Sequence, residues 1–262
     1  MHTKTVTPQI DVDVTIQGGL PGAIDYSRRK IGGLAKFTHQ PVAQARVRLT
    51  NYATSGRPEP VVAQANLDLK NRHIRAQVQA ATAYEAIDIL QDRLRRILEH
   101  RPRRWPSHGR SRHVIGEHHG LPAVPHWGNE SDGEIRRIIR RKSFTAPRLN
   151  VDDAVDEIES MDYNFHLFTD ESTGRDSVLY RSGPTGFRLA QTGTATPEQM
   201  ARIHAPVTVS TTAPSELSVA DAVERINTLD LPFLFFVDAA RGRGSVLYRR
   251  YDGHYGLVSP AA

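Results

Sequence analysis

Near the N-terminus, apolar and polar positions alternate with period two in four stretches and recur at helical spacing in two more. Val12, Val14 and Ile16 interleave with Asp11, Asp13 and Thr15, the pattern of a half-buried strand. Ala43, Ala45, Val47 and Leu49 form one face of a second strand, with Gln44, Arg46, Arg48 and Thr50 on the other. Ala63, Ala65, Leu67 and Leu69 predict a third strand, and Ile74, Ala76, Val78 and Ala80 a fourth, joined by a tight turn near Lys70-Asn71-Arg72. Gly18-Gly19 ends the first strand. Pro21 to Phe37 then predicts a helix with Ile24, Ile31 and Leu34 inward and Arg28, Arg29 and Lys30 largely outward. The pair Gly32-Gly33 weakens it by about 1 kcal/mol per glycine relative to Ala. From Thr82 as N-cap, Tyr84, Ile87, Leu90, Leu94, Ile97 and Leu98 mark a last amphipathic helix. Its other face carries Arg93, Arg96, Glu99, His100 and Arg101, followed by Arg103 and Arg104. The order is β-α-β-β-β-α, one four-stranded sheet with two helices on one face.

Periodicity stops between Pro102 and Gly133, where prolines, glycines, Trp105 and Trp127 and the histidines His108, His113, His118, His119 and His126 mark a linker. Glu117, His118 and His119 lack the spacing of a metal motif, so no metal site is expected there. A basic tether whose tryptophans stack on bases or pack on a domain fits the stretch better.

Beyond the linker the chain repeats itself. Phe165 to Ala190 recurs without a gap as Phe233 to Val258, 68 residues on, around a shared Ser-Val-Leu-Tyr-Arg at 177–181 and 245–249. Upstream, Val151, Asp153, Ala154, Val155, Ile158 and Asp162 recur at Val219, Asp221, Ala222, Val223, Ile226 and Asp230. Glu134 to Phe144 predicts a strand entering the first copy, and Pro206 to Thr211 a shorter one entering the second. Asn150 and Ser218 stand as equivalent N-caps, with Asp153 and Asp221 three residues on. Each copy reads β-α-β-β-β, a unit small enough to need a neighbour for its apolar face. The chain is thus α+β, with boundaries expected at 8–104, a linker at 105–133, a first repeat at 134–191, a linker at 192–205 and a second repeat at 206–262.

The net charge of +5 hides an asymmetry. Residues 1–104 hold 17 Lys and Arg against 9 Asp and Glu, a balance of +8, whereas residues 143–262 hold 10 against 16, or −6. That split points to a polyanion-binding front end carried on a rear module with another task. Only 5 of the 34 cations are Lys, and Arg supplies the planar fork suited to phosphate. With no cysteine there is no disulfide framework, thiolate nucleophile or Cys-ligated zinc. The N-terminus lacks the apolar core of a secretory signal and no run of eighteen apolar residues occurs, so a cytoplasmic protein without membrane partners is expected. There is no P-loop and no G-x-S-x-G, and Gly242-Arg-Gly244 is a lone G-x-G in a turn. Neither enzyme activity nor a cofactor is expected.

Residues 11–104 resemble the N-terminal domain of the bacterial ribosome hibernation promoting factors, the S30AE or sigma-54 modulation family. Lys30-Ile-Gly-Gly-Leu34-Ala-Lys36-Phe37 is similar to the family pattern K-I-x-K-L-x-K-Y/F, and Tyr84-Glu-Ala-Ile-Asp88-Ile-Leu-Gln-Asp92-Arg93-Leu94-Arg95-Arg96 to Y-x-A-I-D-x-x-x-D-K-L-x-R-Q-L. Gly33 replaces a usual Lys, and Glu99 stands where the last helix often continues basic. The resemblance implies that cations at these positions contact 16S rRNA, the domain filling the small-subunit decoding channel between head and body and excluding tRNA and mRNA. Lys30, Lys36, Arg93 and Arg96 match the pattern directly. Arg28, Arg29, Arg72, Arg75, Arg101, Arg103 and Arg104 complete the expected rRNA-binding set.

The repeats resemble the C-terminal domain of the long-form factors, F-F-V-F-x-N-x-x-T-G-x-x-x-V-V-Y-R-R-x-D-G-x-Y-G-L-I. The second copy is the closer, through Phe235-Phe236-Val237, Tyr248-Arg249-Arg250, Asp252-Gly253 and Tyr255-Gly256-Leu257, while the first departs at Gly183 to Arg188. In the ordinary long form this domain occurs once, and its homodimerisation joins two 70S ribosomes into a 100S particle. Duplication, as in the hypoxia-associated variant of the family, implies an intramolecular pseudo-dimer. A partner tethered across roughly 28 residues is present at an effective concentration in the millimolar range. Phe165, Phe168, Tyr180, Phe233, Phe235, Tyr248 and Tyr255 are the expected repeat–repeat contacts. The expected function is hibernation under stress: a monomer bound to 16S rRNA and small-subunit proteins of the 70S ribosome. A 100S-forming homodimer and an RNA-binding scaffold acting off the ribosome are the alternatives.

Overall fold

The computed structural model describes residues 10–38, 41–52, 59–70, 72–99, 136–182 and 185–261. The central linker, with its histidines and tryptophans, lies outside them.

In the N-terminal body, β1 (Val12–Gln17), α1 (Ala23–Gly32), a 3-10 turn (Gly33–Phe37), β2 (Val42–Asn51), β3 (Val61–Leu69), β4 (Arg72–Ala80) and α2 (Ala83–Glu99) follow one another. The sheet order is β1-β2-β3-β4, with β1 parallel to β2 and the other pairs antiparallel. Both helices cover one face. Ile31 and Leu34 from the first, and Ala86, Ile87, Leu90 and Leu94 from the second, share a core with Val47, Leu49, Ala65, Leu67, Ile74 and Ala76. The expected helix through Phe37 divides at Gly32-Gly33, where α-helical winding gives way to the tighter turn. Ile24, expected inward, is 40% exposed. Ala43 is also exposed, because the β2–β3 register slips between Val42 and Gln44 and takes it out of the alternation.

The C-terminal body holds both repeats. The first contributes β5 (Ile138–Phe144), β6 (Arg148–Leu149), α3 (Val151–Ser160), β7 (Phe165–Asp170), β8 (Asp176–Arg181) and β9 (Phe187–Gln191). A four-residue helix α4 (Pro197–Met200) leads to the second, with β10 (Val207–Val209), β11 (Glu216–Leu217), α5 (Val219–Thr228), β12 (Phe233–Asp238), β13 (Arg243–Arg249) and β14 (Tyr255–Pro260). Both long helices open on the expected caps. Asn150 accepts from the Asp153 amide and Ser218 from the Asp221 amide, at 2.8 and 3.2 Å. They also end alike, at Asp162 and Asp230 with φ of 49° and 48°, where the Tyr163 and Leu231 amides reach back to Ile158 and Ile226 carbonyls.

The leading strands are exchanged. One sheet runs β10-β9-β8-β7-β6 and the other β11-β12-β13-β14-β5. β5 of the first repeat therefore pairs in parallel with β14 of the second, and β10 of the second with β9 of the first. Each repeat completes the other's sheet. The composition of these segments suits a strand but carries no information about which edge they join.

Candidate RNA interface

Seven cations of the N-terminal body lie on its helical side, because α1, the 3-10 turn and α2 bury their apolar stripes against the sheet. Arg28, Arg29, Lys36, Arg95 and Arg96 are exposed and Lys30 and Arg93 half-buried. Two aromatic rings hold four of them in place. Arg29 and Lys30 lie 5.0 and 5.1 Å from the centre of the Tyr26 ring, and Lys36 and Arg95 lie 4.9 and 4.5 Å from that of Phe37. Tyr26 packs edge-on against Tyr84 at 4.8 Å, so one ring links the cations of α1 to α2. Arg93 donates to the Gln77 carbonyl at 2.9 Å, and Arg96 to that of Asp92 at 3.4 Å. Arg95 joins this surface from outside the expected rRNA-binding set. Its signal was the aromatic at Phe37, which gives a guanidinium on the neighbouring helix a face to stack on.

Asp88 organises the α1 end of this surface. It accepts from the Tyr26 hydroxyl at 2.9 Å and from the Lys30 ammonium at 2.6 Å. Lys30, hydrogen-bonded to it, holds the Asp88 carboxyl below its usual 3.8, and the same bond, with a further one that Lys30 donates to Tyr26, raises Lys30. A carboxyl with a depressed folded pKa contributes stability that is fully present above its unfolded pKa and lost as pH falls through the folded one. Carbonyl-carbon NMR of Asp88 is expected to give a midpoint below 3.8 that moves up in Lys30→Ala; an unmoved midpoint would separate the two groups.

Other expected positions fall elsewhere. Arg75 is 9% exposed, its guanidinium donating to Gln64 and Gln77. It sits on the sheet face away from the helices, and its buried, bonded head group is not presented to a phosphate. Arg72 is half-buried at the start of β4. Arg101, Arg103 and Arg104 lie outside the described residues.

Five of the seven expected repeat–repeat residues, Phe165, Tyr180, Phe233, Phe235 and Tyr248, come together in one cluster with Leu167, Val178, Val246 and Val258. The contacts are reciprocal. Phe165 and Phe233, equivalent positions, pack with tilted rings 5.0 Å apart; Phe165 lies 6.0 Å from Tyr248, and its counterpart Phe233 lies 5.3 Å from Tyr180. Such pairing is the mark of an approximate two-fold axis. Phe168 and Tyr255 do not join it. Tyr255 lies under α5 with Ala222, Ile226 and Phe236. Phe168, of opposite parity to Phe165 in β7, is buried and stacked on His166. Tyr248 covers Gly256 on the neighbouring strand, where a Cβ would fall inside its ring.

Among the described residues no cluster of three or more His, Asp or Glu could hold a metal ion, and no helix is long and apolar enough to cross a membrane.

A family model described as Sigma 54 modulation protein / S30EA ribosomal protein matches residues 21–105. Its companion, Sigma 54 modulation/S30EA ribosomal protein C terminus, matches twice, at 134–189 and 207–257. The Dormancy associated translation inhibitor of Mycobacterium tuberculosis is 38% identical over 232 residues, 82% of this chain and 76% of that protein. The chloroplastic Ribosome-binding factor PSRP1 of Spinacia oleracea is 27% identical over 183 residues, 61% of this chain and 60% of its own. Among solved structures, the Thermus thermophilus Protein Y N-terminal domain is 25% identical, covering 35% of this chain and 96% of that one with a TM-score of 0.29. The chain belongs to the sigma 54 modulation/S30EA ribosomal protein family, as a long form whose C-terminal domain is present twice.

Proposed function

We propose that this protein is a ribosome hibernation factor that places its helical basic face against 16S rRNA in the small-subunit channel at the decoding centre. There it excludes mRNA and tRNA, inhibits translation and stabilises idle 70S ribosomes under stress. The observation that carries this reading is the ridge of arginines and lysines stacked on Tyr26 and Phe37 across α1, the 3-10 turn and α2. Stacking limits the freedom of these long side chains before RNA is met, which lowers the ordering cost on binding. The names of two relatives, a translation inhibitor and a ribosome-binding factor, supply the target.

The C-terminal pair acts within one chain. Its exchanged edge strands and shared aromatic cluster satisfy each repeat inside the molecule, leaving neither to recruit a second copy, so ribosomes are held singly and not joined as 100S. Purified protein is expected to co-sediment with ribosomes at low salt, to be released as salt rises, and to inhibit translation in a reconstituted reaction. Binding to free RNA with none to ribosomes would overturn the proposal in favour of a scaffold acting elsewhere.

A further inference from the structure

The two-fold relation between the repeats is broken at one position on its axis. Asp176 and Gly244 are equivalent, 68 residues apart, and they touch. The Gly244 amide donates to the Asp176 carboxylate at 2.9 Å, and a Cβ on Gly244 would stand 2.8 Å from the Asp176 Cβ, with Phe235 and Thr192 side chains at 2.9 Å. Arg243 completes the contact with a two-pronged bond to the same carboxylate, at 2.8 and 2.9 Å. Its counterpart Arg175 has no carboxylate to meet across the axis, and instead donates to the Thr194 carbonyl at 2.6 Å.

We propose that the Asp176–Gly244 position is the determinant that pairs the first repeat with the second and rejects either repeat's pairing with a second copy of itself. Two first repeats would bring two Asp176 carboxylates together where there is room for one. Two second repeats would place glycine against glycine and leave each Arg243 beside the axis without its carboxylate. One acid, one glycine and one arginine fit only the mixed pair, so repulsion and lost bonding, as well as attraction, set partner choice. This inference rests on the intramolecular pairing proposed above.

The full chain can present all four combinations at the axis with the tether held constant: wild type, G244D, D176G and the exchange D176G/G244D. G244D sets acid against acid and D176G glycine against glycine, the combinations that self-pairing would create. Denaturant unfolding of the isolated chains is expected to show both single variants less stable. The exchange should recover at least about tenfold of the folded-to-unfolded ratio lost in G244D, a coupling of about 1.4 kcal/mol. Additive effects, or a D176G as stable as wild type, would overturn the assignment. If no chain with Asp at 244 folds, D176G decides alone: an unchanged ratio overturns, a lowered one supports. No ribosome enters this measurement. A 100S peak would thus count against the proposed function without touching the coupling, and a missing coupling would sink the axis assignment with ribosome binding intact.

Discussion

Alanine at Arg29, Lys36 and Arg96 together is expected to lower ribosome affinity and to cut the slope of log K against log salt by about 3, one unit per lost phosphate contact. The three side chains come from α1, the 3-10 turn and α2, and all are exposed. Their removal costs the fold little, since exposed substitutions away from caps and buried networks usually fall within about 0.5 kcal/mol. Arg46 and Arg48 provide the control. They carry the same charge on the same body, but project from β2 on the sheet face opposite the helices. Alanine at both is expected to leave the slope within about one unit of wild type. Filter binding or co-sedimentation across a salt series measures both. Equal losses from the two sets would mean that net charge, and not the helical face, drives association.

The second large effect concerns the C-terminal pair. Phe165→Ala is expected to destabilise it by about 3–5 kcal/mol, the usual cost of deleting a buried aromatic ring. Phe165 is 2% exposed and stands between Phe233 and Tyr248 of the facing sheet, so its loss opens a cavity that both sheets line. Phe233→Ala, at a partly buried site, is expected to cost less. Urea unfolding followed by tyrosine fluorescence or circular dichroism reads the difference. A loss below about 1 kcal/mol for Phe165→Ala would mean that the cavity collapses freely and the sheets do not depend on this contact.

Local features of the fold were legible wherever one physical rule governs one stretch. The capping residues Asn150 and Ser218 bond as their spacing requires, and of the expected α2 stripe Ile87, Leu90 and Leu94 are buried, Ile97 and Leu98 half-buried and Tyr84 exposed. The gapless repeat also announced two like units. What could not be read were choices between equivalent partners. The segment Ile138–Phe144, Ile-Ile-Arg-Arg-Lys-Ser-Phe, does not alternate, and its place beside β14 depends on two free edges that only the assembled pair presents. Parity within a strand separates Phe165, at the shared face, from Phe168, which is buried against His166, and residue type alone does not. The same holds for the candidate RNA surface. Arg28 to Lys30 were visible as the polar side of a helix, whereas Arg75 has the same chemistry but is buried on the far side of the sheet. Arg95 gains its position through Phe37, a contact between segments nearly sixty residues apart.

Pairing of the repeats within one chain is the central claim, and its consequence for ribosomes is direct. The most direct test is sedimentation of purified 70S ribosomes through a sucrose gradient with increasing amounts of the 262-residue protein. The protein is expected to migrate with the 70S peak, which persists at magnesium concentrations that otherwise release subunits, with nothing faster than 70S appearing. A protein-dependent 100S peak would contradict the account.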